Sequence, residues 1–243
     1  MPGPLEGKSV VLGVSGSIAC YKAVDLASKL TQAGALVDVI LTDSATQFVT
    51  PLTFHSITHR QVVVEMFESN TQYSLEHVAL ARRADIVVVA PATAHTIAKM
   101  AHGLADNMLT TTLLATEAPI VVAPAMDANM NQSPAVKKNL AALHDFGITV
   151  VGPLIGRLAS GLRGSGRLMD PPELMGHIAA VLGKSGDLAG RTVVVSAGGT
   201  AEPIDPVRVV TNRSSGKQGY ALAEAARDRG AKVTLVATHT KLA

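Results

Sequence analysis

The sequence reads as a doubly wound α/β protein on three observations. Short β-branched runs recur through its 243 residues. They are continuous rather than alternating, which suits strands covered on both faces of a parallel sheet. Alanine-rich amphipathic stretches separate them, so the repeating unit is βαβ. Ser9 to Val14 (SVVLGV) is the first predicted strand, and Ile18 to Gln32 the helix after it, with Gly34 as its stop. Leu36 to Leu41 (LVDVIL), Asp85 to Ala90 (DIVVVA), Pro119 to Ala123 (PIVVA) and the short Ile148 to Val151 (ITVV) continue the series. Gly183 to Gly190 (GKSGDLAG) reads as a linker. Beyond it come a strand over Arg191 to Ala197, a glycine turn, a polar loop, a helix from about Lys217 to Arg229 and a strand over Lys232 to Ala237. The expected division is a first domain over 1–182, a linker over 183–190 and an incomplete βαβ segment of a second α/β domain over 191–243. One βαβ unit cannot cover both faces of its own sheet, so this segment is expected to be marginal or to depend on a partner.

Composition narrows the function. The chain is 47% hydrophobic and 16% charged, enough apolar material for a packed core and too little charge for a disordered chain. Its longest apolar stretch, Ala84 to Ala98, is broken by Asp85, Pro91, Thr93 and His95, so no membrane span is expected. The opening MPGPLEGKSVVLG lacks a basic n-region and a small-residue cleavage site, and reads as no secretory leader. A lone Cys20 excludes an internal disulfide or a multi-cysteine metal site. A net charge of +2, no dense basic block, 3% aromatics and no tryptophan give no reason to expect nucleic acid. The expectation is a cytoplasmic protein that handles a small molecule.

The chemistry-bearing segments follow the predicted strands. Gly13-Val14-Ser15-Gly16-Ser17-Ile18 lets backbone N–H groups approach a phosphate at a helix N-terminus, or is simply a tight strand-to-helix turn. Thr42-Asp43-Ser44-Ala45, Pro91-Ala92-Thr93-Ala94-His95-Thr96 and Pro124-Ala125-Met126-Asp127 follow the next three strands. Capped βα turns explain each singly. Their common place at the carboxyl ends of parallel strands predicts a ligand cleft. His77 is a candidate acid/base, or a satisfied histidine, loosely co-facial with Arg82 on a helix. His55 and His59 are spaced i, i+4 but lack an HExxH pattern, so no metal site is read there. Gly156 to Asp170 (GRLASGLRGSGRLMD) reads as a mobile flap able to close over an anion, or as a plain connector.

Taken together, VLGVSGSIACYKA, SLEHVALARRADIVVVAPATAHTIAKMAHGLADNMLTTTLLA, VVAPAMDANM and ASGLRGSGRLMDP resemble the flavin-dependent cysteine decarboxylases. The resemblance runs over about residues 7 to 180, and is strongest to the decarboxylase half of the bifunctional phosphopantothenoylcysteine decarboxylase/phosphopantothenate–cysteine ligases. SAGGTAEPIDPVRVVTNRSSGKQGYALAEAA is similar to the opening of their ligase half, with Asn212, Arg213 and Lys217 at matching polar positions. The resemblance implies a flavodoxin-like fold and FMN near Ser15, Gly16, Ser17 and Ile18, with Thr42, Ser44, Pro91, Ala92, Thr93 and Thr96 around it. It implies oxidation of a cysteinyl thiol and loss of its carboxylate as carbon dioxide, turning phosphopantothenoylcysteine into 4′-phosphopantetheine. His77, Asp127 and Ser160 are the implied catalytic positions; Arg82, Asn129, Met130 and Arg167 the implied substrate contacts. The implied assembly is a homotrimer, or a larger assembly of trimers, with FMN between neighbouring subunits. CTP and Mg2+ would serve only a complete ligase half, so ligase activity is expected to be absent here.

Three positions depart from the family's usual pattern, two of them at implied catalytic residues. Asp127 stands where asparagine is common, and an ionised Asp would repel a substrate carboxylate that Asn could hold. Ser160 stands where many relatives have a cysteine, whose thiol is much the stronger acid with a pKa of about 8.5. His95 also replaces a frequent asparagine. These departures leave two other readings open: a related flavin-dependent enzyme, or a non-catalytic FMN-binding structural or regulatory oligomer.

Overall fold

The computed structural model describes residues 3–66 and 76–238. Ser74 and Leu75, which open the motif around His77, lie outside the described residues. The chain forms two compact units, Met1–Ile178 and Ala179–Ala243. The first contains, in order, β1 (Ser9–Val14), α1 (Cys20–Gln32), β2 (Leu36–Leu41), α2 (Asp43–Thr46), α3 (Pro51–Thr58), β3 (Val62–Val63), α4 (Glu76–Arg83) and β4 (Ile86–Ala92). It continues with α5 (Ala94–His102), α6 (Met108–Ala115), β5 (Ile120–Pro124), α7 (Ala128–Gln132), α8 (Pro134–Asp145), β6 (Thr149–Val150), β7 (Leu154–Arg157) and β8 (Arg163–Arg167). The helix α9 (Pro171–Gly183) leads into the second unit.

Six strands form one sheet in the order β3-β2-β1-β4-β5-β6, and every pairing in it is parallel. All seven residues of β4 and five of the six in β1 are buried. Successive side chains point to opposite faces, so such strands need cover on both sides. That is why the apolar runs do not alternate. Each large side chain of this core, among them Leu12, Leu26, Ile40 and Leu109, contributes about 1.5–3 kcal/mol by leaving water. The helices that cover it pack in pairs, α1 with α3, α4 with α6 and α5 with α8.

Boundaries moved where side chains cap or turn the chain. The first helix starts at Cys20 rather than Ile18, because Ser17 to Ala19 form a turn in which Ser17 Oγ accepts the Ala19 N–H at 3.2 Å. Gly34 does end it, at φ 85°, a left-handed conformation that a side chain would strain. Asp38 looks out of place inside the apolar β2, and it is buried at 4% exposure. A buried carboxylate needs partners. Arg60 Nε reaches it at 2.7 Å and an Arg83 Nη at 2.9 Å, tying β2 to the segments after α3 and at the end of α4. His55 spends its Nδ1 on the Arg60 carbonyl at 2.8 Å, and His59 closes α3 at φ 54°.

The segment read as a mobile flap is an antiparallel hairpin, β7 paired with β8 from Leu154↔Arg167 to Arg157↔Arg163. In the second unit, β9 (Thr192–Ala197) pairs in parallel with β12 (Lys232–Ala237), and α10 (Lys217–Arg227) packs on both. The loop between holds a small antiparallel hairpin of β10 (Ala201–Pro203) and β11 (Val209–Thr211). Residues along β9 and β12 alternate between half-buried and exposed, with Val194 at 68% and Val236 at 57% exposure. One face of this two-stranded sheet is bare within the unit. Among the described residues, no helix is long and apolar enough to cross a membrane.

Candidate functional site

The strand order reverses between β1 and β4. The chain leaves β1 toward β2 on one side and returns to β4 on the other, so the loops beyond their carboxyl ends diverge and open a crevice. Ser15 holds the two loops together there. Its hydroxyl donates to the Pro91 carbonyl at 2.8 Å and accepts the Thr93 N–H at 2.9 Å. Its own N–H reaches the same carbonyl at 3.2 Å. A hydroxyl has one proton, so the side chain of Ser15, 1% exposed, is spent inside the protein. Thr93 caps α5 and shares its hydroxyl with Thr96 at 3.2 Å. Thr42 caps α2 and donates its N–H to the Val14 carbonyl. Gly16 lies so close to Ser44 that a Cβ there would collide with the side chain and backbone of that residue. Pro91 and Ala92 are buried in β4, where the Ala92 carbonyl accepts the Ala125 N–H.

A cleft of about 560 Å³ opens beside this junction. Ser17, Ile18, Tyr21 and Lys22 form one wall, Ala125 to Asp127 another, and the hairpin supplies Arg157 to Ser160 and Gly166 to Leu168. The start of α1 borders it, and its N-cap Ala19 provides no side-chain hydrogen bond to the helix N–H groups. Asp127 caps α7, taking the Asn129 N–H on Oδ1 at 2.9 Å, and accepts Ser160 Oγ on Oδ2 at 3.0 Å. The hairpin is anchored at its base by Met126 N–H to the Gly166 carbonyl at 3.0 Å and by Asn131 Nδ2 to Ser165 Oγ at 3.0 Å.

Charge in the cleft is arranged around Asp170. Lys22 Nζ meets its Oδ1 at 2.6 Å and the Leu168 carbonyl at 3.0 Å, and Arg167 Nη2 contacts both carboxylate oxygens at 2.7–2.8 Å. The Lys22 hydrogen bond above all, and Arg167 after it, hold the Asp170 carboxyl below the usual carboxylate range. A depressed carboxyl stabilises the fold above its unfolded value of about 3.9, and that share is lost as pH falls through the lower folded value. Lys22→Ala should therefore raise the midpoint of acid unfolding, read by circular dichroism against pH. Identical acid midpoints for parent and variant would refute this tie.

The cleft brings together Ser17, Ile18, Asp127, Ser160 and Arg167. Arg167, implied as a substrate contact, pairs with Asp170 in this structure. Ser15, Gly16, Thr42, Ser44, Pro91, Ala92, Thr93 and Thr96 form the neighbouring loop junction rather than the cleft wall. Asn129 and Met130 sit exposed on α7. His77 is half-buried and Arg82 exposed on α4, and neither lines the cleft of its own chain. Arg157 belongs to the stretch read as closing over an anion, whereas Lys22, Tyr21 and Asn131 were missed. Lys22 had a signal, since it falls one helical turn after Ile18 and so shares its face. Asn131 had none, its partner being 34 residues away. In the second unit, Ser196, Gly198 and Arg213 to Gly219 enclose a polar hollow of about 650 Å³.

A parallel sheet with its cleft at the switch point defines a nucleotide- or flavin-binding class of protein. The family model described as flavoprotein matches residues 2–183, and the chain belongs to that family. Residues 188–243 match the DNA/pantothenate metabolism flavoprotein C-terminal domain. The chain is 48% identical over 236 residues to the coenzyme A biosynthesis bifunctional protein CoaBC of Bacillus subtilis (strain 168), covering 96% of this chain and 58% of the relative. It thus spans somewhat more than half the length of the curated relatives it matches. Among solved structures, a PPC decarboxylase mutant complexed with pantothenoylaminoethenethiol is 32% identical at TM-score 0.64, covering 71% of this chain and 97% of that one. The FMN-dependent cysteine decarboxylase SpaF is 32% identical at TM-score 0.62, covering 70% and 94%.

Proposed function

We propose that this chain is an FMN-dependent decarboxylase converting phosphopantothenoylcysteine to 4′-phosphopantetheine. The cleft at the strand-order switch, walled by a hairpin that carries Ser160 onto Asp127, is the observation that carries this reading. The likeness to a PPC decarboxylase and to FMN-dependent cysteine decarboxylases supports it. The residues fit the cofactor's phosphate. No side chain caps the 13-residue α1, and although its Cys20 and Lys22 N–H groups bond the Ser17 and Ala19 carbonyls, a helix N-terminus of this kind favours an anion. Its volume lies within the range of small-molecule and cofactor sites.

When bound, FMN would supply two-electron chemistry at the cysteinyl thiol. The chain's own groups bind and orient. Ser17 and the start of α1 would hold the phosphate, and Arg157 adds positive charge at the cleft wall, while Lys22 is held by Asp170 and the Leu168 carbonyl. Asp127 is not an open anion toward substrate, since a backbone N–H and the Ser160 hydroxyl occupy its two oxygens. Ser160 gives its one proton to Asp127, so in this arrangement its oxygen can only accept from the cleft. We assign His77 and Arg82 to the cleft of a neighbouring subunit in a homotrimer, because they lie off the cleft of their own chain. Residues 1–182, the linker 183–190 and the ligase-like 191–243 complete the reading; the last segment alone is assigned no CTP- and Mg2+-dependent condensation.

Purification followed by a visible spectrum tests the first link. A yellow protein that releases FMN and liberates carbon dioxide from phosphopantothenoylcysteine is expected. A colourless protein that refuses added FMN would end this reading. Mixing His77→Ala with Ser17→Trp protein should restore part of the turnover each has lost, if the cleft is shared between subunits.

A further inference from the structure

We propose that Asp127 and Ser160 form a latch that fastens the tip of the β7–β8 hairpin over the cleft, with Asp127 acting as a positioning residue for the tip. The tip otherwise relies on itself. Its internal bonds are Leu158 N–H to the Leu162 carbonyl at 2.8 Å and Gly161 N–H to the Leu158 carbonyl at 3.0 Å. Ala159, Ser160, Gly161 and Leu162 are all exposed. Among the described residues, Ser160 Oγ to Asp127 Oδ2, at 3.0 Å, is the one hydrogen bond that leaves residues 158–162 for another part of the protein.

Asp127 is built for this. Its Oδ1 is committed to capping α7, which fixes the side chain and presents Oδ2 to the tip. The bond has a charged acceptor, which makes it stronger than a neutral pair. The base of the hairpin does not depend on it, because Met126–Gly166, Asn131–Ser165 and Lys22–Leu168 hold that end separately. Loss of the latch therefore frees the tip without releasing the hairpin. Arg157, Leu158, Ala159 and Ser160 all line the cleft, so opening of the tip exposes it. That this opening admits substrate rests on the decarboxylase reading; the latch itself does not.

Arg157 and Arg163 flank the tip, and both are exposed, which allows trypsin to report its opening in the full-length chain without flavin or substrate. Cleavage of the Arg157–Leu158 and Arg163–Gly164 bonds would be timed by mass spectrometry. Ser160→Ala should raise the rate about fivefold, the effect of one exposed charge-assisted bond on a local opening equilibrium. Asp127→Ser keeps a residue able to cap α7 but cannot reach the tip, and should do the same. The double variant should stay near about fivefold rather than the product of about 25-fold expected of independent sites. Ser160→Thr keeps the hydroxyl and should cleave at the parent rate. The proposal fails if Ser160→Ala cleaves like the parent, if the two effects multiply, or if Ser160→Thr cleaves like Ser160→Ala. None of these results depends on whether the protein decarboxylates anything.

Discussion

Ser15→Ala is expected to cost about 2–3 kcal/mol of stability and most of the flavin-binding capacity, although the residue touches no ligand in the geometry described. The estimate comes from its burial and its two partners. The hydroxyl joins the Pro91 carbonyl and the Thr93 N–H across 76 to 78 residues of sequence. Its removal leaves the carbonyl with the Ser15 N–H but strips the part-buried Thr93 N–H of its acceptor, at about 1–2 kcal/mol, and the lost bond to the Pro91 carbonyl adds about 1 kcal/mol. The β1 and β4 loops then lose their side-chain tie where the crevice opens. Ser17→Ala is the contrast. Ser17 lines the cleft and its hydroxyl makes only a local turn bond to Ala19, so it should weaken flavin binding while shifting stability by a few tenths of a kcal/mol. Urea melts alongside flavin titrations separate the two. Equal stability of Ser15→Ala and the parent would show that other contacts hold the loops.

The same residue marks the limit of what the sequence could say. β-branched runs located every long strand, because a strand buried on both faces has no polar alternative at each position. The βα loops were legible as a cleft because parallel strands deliver their carboxyl ends to one edge. Ser15, Gly16 and Ser17 were equally legible as small residues, but the text of the chain does not show that Ser15 faces inward and Ser17 outward. Asp38 was absorbed into an apolar strand, since Arg60 and Arg83, which make its burial affordable in free energy, arrive from 22 and 45 residues away. The glycine-rich stretch from Gly156 to Asp170 looked like a mobile segment for a related reason. Glycines signal freedom when read singly. Gly164 and Gly166 are spaced by two, the period of one strand face, and that face lies against Ala128 and Met126. There the glycines serve close approach rather than flexibility. His77 and Arg82 share the helix α4 but line no part of the cleft of their own chain, which the order of residues along the sequence does not show.

Gly166→Ala is expected to be the most damaging single-methyl change in the hairpin. A Cβ at this position would run into the Met126 carbonyl oxygen, with the Met126 and Asp127 carbonyl carbons 3.2 and 3.3 Å away. All three are backbone atoms, so nothing can swing aside. Either β8 withdraws from the loop after β5, or that loop gives way. Withdrawal also breaks the Met126–Gly166 backbone bond. Overpacking of about 1–3 kcal/mol and the lost bond of about 1 kcal/mol together suggest about 3 kcal/mol. The functional loss should exceed the stability loss, because Gly166 and Asp127 face the same cleft and move apart together. Gly156→Ala is the informative comparison. Its Cβ would meet Arg167 Cδ at 2.9 Å, part of a long side chain that can rotate away. It should therefore cost under about 1 kcal/mol and leave flavin retention near the parent's. If the two variants melt together and retain flavin equally, the close approach at Gly166 does not define the cleft wall.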